Sequence, residues 1–340
     1  MAILTAVTRL LAPVLMLATL GLSGPAWAAG EPLVVYSARK YQLVEQLFLE
    51  YGRERGMEVK SVTDDGAPLI QRLIAEGANS PADVFISVDA GDLWRAAEAG
   101  LLAPVKSEAL EAAIPAHLRD PEGRWFGLAV RARTIAYSTG RVKPSELSTY
   151  AALGDAKWKG RLCLRSGKHV YNQSLVATMI GDIGEEATER VVRSWVANLA
   201  AEPFSSDTLM LNAIAAGQCD VGITNSYYLG RLQAEKPGFP VQIFWADQKG
   251  AGTHVNISGG GVTTHAKNRA EAIRFLEWLA SPEIQKRFAS VNYEFPANVN
   301  AEALPVVAAW GKFEPNLVNV GTIGRTQPAA VKLLDRAGWR

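Results

Sequence analysis

The stretch "CDVGITNSYYLGRL" (219–232) combines a short apolar run with a tyrosine pair and a helix-forming tail. The run "CDVGI" predicts a buried strand, and "SYYLGRL" predicts a helix that begins where the strand ends. Tyr227 and Tyr228 therefore lie at the carboxyl end of a strand. Two adjacent phenols can fill a core, or they can present two hard oxygen ligands to a cation of high charge.

The segments before residue 110 alternate between short apolar strands and amphipathic helices. The predicted strands are "LVVYS" (33–37), "MEVKSVT" (57–63) and "ADVFISVD" (82–89). Helices over 42–56, 67–77 and 90–100 follow them, and Gly56 is the predicted stop of the first. Strands separated by helices of this length indicate βαβ units around a parallel sheet.

Two longer β runs are predicted to cross between this first lobe and a second α/β lobe. They are "WFGLAVRARTIAYST" (125–139) and the glycine-rich "THVNISGGGVTTHA" (253–266). The fold class is therefore α/β, with a ligand cleft between two hinged lobes. The first lobe is predicted to comprise residues 29–130 plus about 256–310, and the second 131–255 plus the C-terminal helices at about 311–340.

The amino terminus predicts export. Arg9 precedes an apolar stretch from Leu10 to Leu22, and Ala26-Trp27-Ala28 fits a signal-peptidase site. We expect residues 1–28 to be removed by cleavage after Ala28.

The full chain carries 35 Lys and Arg against 34 Asp and Glu, so loss of Arg9 leaves a neutral mature protein. This balance lacks the basic footprint of a nucleic-acid-binding protein.

The chain has two cysteines, Cys163 and Cys219. In an oxidising compartment they are expected to form a disulfide, with two buried thiols as the alternative.

Enzyme motifs are missing from the sequence. It contains no G-x-S-x-G, H-E-x-x-H, C-x-x-C or phosphate-loop pattern. The histidines lack metal-ligand spacing; they are His117, His169, His254 and His265.

Tyrosines instead occupy three strand–helix turns that should face one cleft. They are Tyr36 and Tyr41 at the first turn, Tyr171 at the second, and the 227–228 pair at the third.

Several segments resemble the periplasmic ferric-ion-binding proteins of bacterial ATP-binding-cassette (ABC) importers, over nearly all of the mature chain. The matching segments are "VVYSARKY" (34–41), "CLRSG" (163–167), "YNQSL" (171–175), "AAGQCDVGITNSYYLGRL" (215–232), "NISGGGVTTHAKN" (256–268) and "RAGW" (336–339). The resemblance implies a periplasmic binding protein type II fold. It also implies a non-enzymatic, monomeric periplasmic protein that delivers ferric iron to an inner-membrane permease and its ATPase.

The resemblance also implies the site residues. Ferric ion, the transported ligand, would be bound by Tyr41, Tyr171, Tyr227 and Tyr228. Arg39, Arg131 and Arg231 would offset the phenolate charge or hold carbonate as a synergistic anion. Many family members carry His where this chain has Lys40, and we expect Lys40 not to be a ligand because an ammonium has no lone pair.

The chemistry of the tyrosines fits ferric iron. A bound ion of high charge can deprotonate a phenol whose pKa is near 10 in water. Adjacent helical residues diverge by about 100°, so Tyr227 and Tyr228 are expected to share an ion only if the helix is just beginning, capped by Asn225 or Ser226. Two alternatives stay open: a same-fold protein that binds an oxyanion, thiamine or a polyamine, and an iron–tyrosinate enzyme.

Overall fold

The computed structural model describes residues 31–340, so the predicted signal peptide and its cleavage site lie outside the described residues. The strands in this part of the chain are β1 (Leu33–Ser37), β2 (Val59–Thr63), β3 (Val84–Ser87), β4 (Phe126–Ser138), β5 (Leu162–Cys163), β6 (Val221–Asn225), β7 (Val241–Phe244), β8 (Val255–Val262) and β9 (Phe295–Pro296). The helices are α1 (Glu45–Arg55), α2 (Gly66–Glu76), α3 (Ala90–Glu98), α4 (Glu108–Ala113), α5 (Val170–Ile183), α6 (Glu185–Ala197), α7 (Asp207–Ala215), α8 (Ser226–Glu235), α9 (Arg269–Ala280), α10 (Pro282–Ser290), α11 (Pro305–Ala308) and α12 (Gly321–Arg336).

Two sheet regions share the long strand β4. The first has the order β2-β1-β3-β8-β4, in which β1 runs parallel to β2 and β3, and β8 is antiparallel to β3 and β4. The second contains β6 and β7, both antiparallel to β4, with β5 parallel to β6. The alternation of strand and helix predicted from the sequence is confirmed, including the left-handed Gly56 that ends α1.

The first predicted crossing is β4. Its residues from Phe126 to Ala132 pair with β8, and those from Arg133 to Ser138 pair with β6 or β7. Nearly all of its side chains are buried, as expected for a strand that joins two sheet regions and is covered on both faces.

The second crossing occupies only the start of the predicted segment 253–266. The glycine-rich strand β8 lies wholly within the first sheet, where it pairs with β3 and β4. The return crossing lies just before it, where Arg133 N donates to His254 O over 3.1 Å. The glycines allow close packing instead: a Cβ at Gly259 would lie 2.7 Å from Phe126 O.

Helix α9 returns to the first sheet region, as predicted. The Phe275 ring lies 5.4 Å from that of Phe48 and 4.9 Å from that of Tyr51, both on α1. The C-terminal helix α12 packs against both α3 and α5. The predicted lobe boundaries stay predictions, and α12 touches helices from both predicted lobes.

The disulfide prediction is confirmed. Cys163 and Cys219 are bonded, with a Cα–Cα distance of 5.9 Å and a sequence separation of 56 residues. The bridge joins the end of β5 to the segment that leads into β6, so it holds together two strands that end at tyrosine-bearing turns. Within residues 31–340, no helix combines the length and apolar character that a membrane crossing requires.

Candidate metal centre

A cavity of about 570 Å³ lies where the turns after β1, β3, β5 and β6 meet the segment after α10. Its wall includes Tyr171, Tyr227 and Tyr228. Strands β1, β3, β5 and β6 each present their carboxyl end here, which is where open α/β sheets bind ligands.

The tyrosine pair lies in the first turn of α8, immediately after the fully buried strand β6. The helix is just beginning at the pair, as expected: α8 starts at Ser226, and both tyrosines are helical. The two rings nevertheless converge, with centroids 4.4 Å apart and planes 33° apart. Asn225 occupies the N-cap position, but its side chain makes no cap bond and instead donates to Tyr227 Oη over 3.3 Å.

Tyr171 reaches the same cavity from the start of α5. His169 is the N-cap of this helix, and its Nδ1 accepts a hydrogen bond from Tyr171 N at 3.2 Å. The two rings pack edge to face at 4.3 Å. Burial, followed by the nearby Arg165 and Arg133, lowers the pKa of His169 to about 4, so this imidazole is neutral at physiological pH.

The buried phenols are protonated in the metal-free protein. Burial, followed by the neighbouring Tyr171 and Tyr228 phenols, raises the pKa of Tyr227 well above its ordinary value. Burial also raises the pKa of Tyr171, although Arg131 opposes this effect. A cation that binds here must therefore displace phenol protons.

Tyr41 is the predicted ligand that the structure does not bring to the others. It opens a short 3₁₀ turn, Tyr41–Leu43, its side chain is 37% exposed, and it does not line the cavity. Lys40 lines the cavity with an exposed side chain. Tyr36, which was predicted at the same turn, lies on β1 instead; it is buried in the core and donates to Glu76 Oε1 over 2.9 Å.

Arg39 and Arg131 both line the cavity, and both are paired with Glu294, a residue that the sequence analysis missed. Arg39 Nη1 lies 2.7 Å from Glu294 Oε2, and Arg131 Nη2 lies 3.5 Å from Glu294 Oε1. Both guanidiniums also donate to Ser258 Oγ. Burial tends to raise the pKa of Glu294, but the two arginines lower it overall, so the carboxylate stays charged.

Arg231 and a second missed residue, Arg165, contact the phenol rings. The Arg231 guanidinium lies 5.3 Å from the Tyr227 ring centre and 5.6 Å from that of Tyr228, and it donates to Asn292 Oδ1. Arg165 Nη1 lies 3.5 Å from Tyr228 Oη. Arg165 follows β5 within "CLRSG", so its position at a strand's carboxyl end was the signal that could have identified it.

A buried network behind the tyrosines fixes the elements that carry them. Arg133, on β4, donates to Asn172 Oδ1 at 2.6 Å and to Asp207 Oδ2 and Asn225 Oδ1 at 3.1 Å each. These partners lie on α5, on α7 and at the end of β6. Charge-assisted hydrogen bonds of this kind orient the starts of α5 and α8 relative to each other.

The cavity combines hard oxygen donors with an excess of positive charge. Its wall holds five cationic side chains, and the carboxylates there are Glu294 and Asp65. Across residues 31–340, no group of three or more His, Cys, Asp or Glu side chains is placed to hold a metal ion. A metal bound in this cavity would therefore depend on tyrosine oxygens, which guanidiniums stabilise as phenolates.

Comparison with known proteins identifies the family. Residues 79–315 match the family described as bacterial extracellular solute-binding protein. Iron uptake protein A1 of Synechocystis is 42% identical over 90% of this chain and 87% of its own length.

Two solved structures show how far the likeness extends. A Trichodesmium protein, IdiA (FutA) in complex with iron and citrate, superposes with a TM-score of 0.87 at 45% identity, over 91% of this chain and 100% of the other. The ferric binding protein from Campylobacter jejuni gives 0.84 at 36% identity, over 91% and 100%. The chain belongs to the bacterial extracellular solute-binding protein family and has the two-lobed type II fold of periplasmic binding proteins.

Proposed function

We propose that this protein captures ferric iron outside the cytoplasm and delivers it to an ABC importer. The observation that carries the proposal is the convergence of the Tyr171, Tyr227 and Tyr228 side chains in one cavity beneath guanidiniums. Relatives named for iron uptake and for ferric binding, with 36–45% identity, support the same ligand.

Ferric ion suits the donors in this cavity. It is small and hard, so it prefers anionic oxygen to sulfur or neutral nitrogen. Three phenolates would neutralise the three positive charges of the ferric ion. Binding would not require any protein group to change its oxidation state. Arg165 and Arg231 already contact the phenol side chains, so the developing phenolate charge has nearby cations that cannot lose their protons.

The charge of the cavity favours an additional anion. With three phenolates on one ferric ion, the five cationic side chains still outnumber Glu294 and Asp65. Carbonate or a small carboxylate could supply negative charge, and so could the phenolate of Tyr41 when the lobes close. We propose that Tyr41 is the fourth protein ligand and that Arg39, Arg131 and Arg231 surround the site.

The proposed transport function does not require this protein to catalyse a reaction. Proteins of this family bind solutes for transport, and the proposed partner is an inner-membrane permease with its ATPase. We propose that the protein acts as a monomer in the periplasm after cleavage behind Ala28. N-terminal sequencing of the protein purified from the periplasmic fraction would test both the location and the cleavage site.

An oxyanion-binding protein of the same fold is the second candidate, and the arginine-rich wall favours it. Titration with ferric iron distinguishes the iron-binding function from the oxyanion-binding function. Iron-free protein is titrated with ferric nitrilotriacetate while the visible spectrum and the metal content are recorded. We expect one iron per chain and a phenolate-to-iron charge-transfer band. Saturable phosphate binding without such a band would favour the oxyanion reading, and catechol turnover would favour an enzyme.

Variants locate the site in the same assay. Tyr227→Phe and Tyr228→Phe should each weaken iron binding by at least about 100-fold, beyond the 10–100-fold typical of losing a group that only supports a ligand. Tyr137→Phe is the matched control, because Tyr137 lies on β4 and does not line the cavity. Unchanged binding in both ligand variants would refute the proposed site.

A further inference from the structure

A second cavity, of about 180 Å³, lies beside the two chain crossings. The side chain of Tyr150 marks the place where the crossings meet: its hydroxyl donates to Arg133 O and accepts from His254 N at 3.1 Å. Leu175 and Met179, from the inward face of α5, form part of the opposite wall. This hinge cavity is separate from the tyrosine cavity and shares no lining residue with it.

The wall of the hinge cavity carries several hydrogen-bond acceptors. Burial, and then the nearby Arg133 guanidinium, lower the pKa of His254 to about 3, so its imidazole is neutral. His254 is 3% exposed, and its Nδ1 has no hydrogen-bond partner among the described residues. Asp182 and Asp247 also line the cavity, and no lysine or arginine is found among the described residues of its wall. Burial, and then the charge of Asp182, raises the pKa of Asp247, so the two carboxylates are close enough to repel each other.

Each carboxylate keeps unused acceptor capacity. Asp182 Oδ2 accepts from Asn316 Nδ2 at 2.7 Å, and Asp247 Oδ2 accepts from Tyr150 N at 3.3 Å. A carboxylate has about four lone-pair directions, so each can accept further bonds. Asp182 is exposed and Asp247 is half-buried. Partial burial of the Asp247 carboxylate without a cation is unfavourable, and a bound cation would offset that cost.

A bare metal ion does not fit this arrangement. In the described part of the chain, Asp182, Asp247 and His254 do not form a group that could hold one metal ion. The acceptors are instead spread around a wall that is otherwise largely apolar. A ligand for this wall needs a positive charge, several N–H donors and a short hydrocarbon body.

We propose that the hinge cavity binds a small organic cation of the primary alkylammonium class. The ammonium group donates to the Asp182 and Asp247 carboxylates, which are close enough to interact electrostatically. The alkyl chain packs on Leu175 and Met179. The volume equals the share of about six water molecules in liquid water, which limits the ligand to a short chain. This site is independent of the proposed iron site.

The position of the cavity predicts coupling between the two sites. Helix α5 carries Tyr171 near its start and Asp182 near its end, so one helix lines both cavities. An occupant beside the crossings fits one hinge angle better than another. By linkage, a cation that changes iron affinity must have its own affinity changed by iron by the same factor.

Calorimetric titration of the iron-free protein with butylammonium tests the site. Saturable one-to-one binding is expected, while butyrate and butanol of similar size should not bind. Asp182→Asn and Asp247→Asn should each weaken butylammonium binding by about tenfold, because each removes a charged hydrogen-bond acceptor of similar shape. Asp335→Asn, at an exposed position near the end of α12, is the matched control.

Three outcomes would overturn the site: no saturation with butylammonium, equal binding of butyrate, or unchanged affinity in both cavity variants. The butyrate and butanol comparisons use the unaltered chain, so they remain decisive if a variant folds poorly. Coupling is tested by repeating the titration with iron-loaded protein. Identical butylammonium affinities in the two forms would overturn the coupling, whereas failure to bind iron would leave the hinge-site result intact.

Discussion

Arg39 and Glu294 form an ion pair of 2.7 Å at the wall of the tyrosine cavity, and each side chain is about 1% exposed. Arg39 follows β1, and Glu294 follows α10, so the pair joins segments 255 residues apart in the sequence. Arg131 approaches the same carboxylate from β4. One buried carboxylate therefore stabilises two of the guanidiniums that surround the proposed metal site.

Glu294→Gln should destabilise the protein by about 3 kcal/mol, because it removes the counter-charge of the buried Arg39 guanidinium and leaves Arg131 with Asp89 as its nearby carboxylate. Urea unfolding followed by circular dichroism measures the change. Glu302→Gln is the control, since Glu302 pairs with Lys286 at the exposed surface, and its unfolding midpoint should not move. Equal midpoints for Glu294→Gln and the unaltered protein would contradict the prediction.

Arg165→Gln should weaken iron binding by about tenfold, because Arg165 is the guanidinium whose Nη1 lies 3.5 Å from Tyr228 Oη. Competition with a chelator measures the affinity. Arg161→Gln tests the effect of losing an arginine nearby, since Arg161 pairs with Asp220 at 2.6 Å and does not line the cavity. Equal losses in the two variants would indicate a general charge effect rather than a contact with the phenolate.

Tyr41→Phe should weaken iron binding while leaving the charge-transfer band in place. Three phenols are already assembled in the cavity, whereas Tyr41 is exposed and must arrive when the lobes close. Tyr228→Phe should have the larger effect in the same titration. If Tyr41→Phe removes all colour and Tyr228→Phe leaves it unchanged, the order of assembly is the reverse of the one proposed.

Iron affinity should fall steeply with acid. The pKa values of Tyr171 and Tyr227 are raised, mainly by burial, so both phenols are protonated in the metal-free state below those values. Each phenol that binds iron then releases one proton, and lower pH favours the unbound state by about tenfold per proton per pH unit. Chelator competition between about pH 6 and about pH 8 measures the slope, and a slope near zero would exclude phenolate coordination.

The disulfide should contribute about 4 kcal/mol to the free energy of unfolding, on a chain-entropy estimate for Cys163 and Cys219, which are 56 residues apart. Unfolding of the unaltered protein with and without reductant measures this contribution. The double variant Cys163→Ala, Cys219→Ala provides the control, because its stability should not respond to reductant. A reductant effect of the same size in both proteins would assign the loss to another cause.

The amino-acid sequence by itself determined the local features of this protein. The alternation of apolar strands and amphipathic helices depends on side-chain periodicity, which is visible within about 15 residues. The positions of Tyr171, Tyr227 and Tyr228 at strand–helix turns follow from the same pattern. The two cysteines left a single pairing possible, and that pairing is present.

The tertiary structure alone decided which distant groups meet at the cavity. Glu294 reaches Arg39 and Arg131 through the return of α10 to the first sheet region, a contact that no local pattern encodes. Strand β8 pairs with β3 and β4, where its glycines permit close backbone approach. Within the predicted segment 253–266, therefore, only the start serves as the second crossing. Tyr41 is exposed and does not line the cavity of the other tyrosines. The local sequence could not show this, because the distance between residues of different lobes depends on long-range packing.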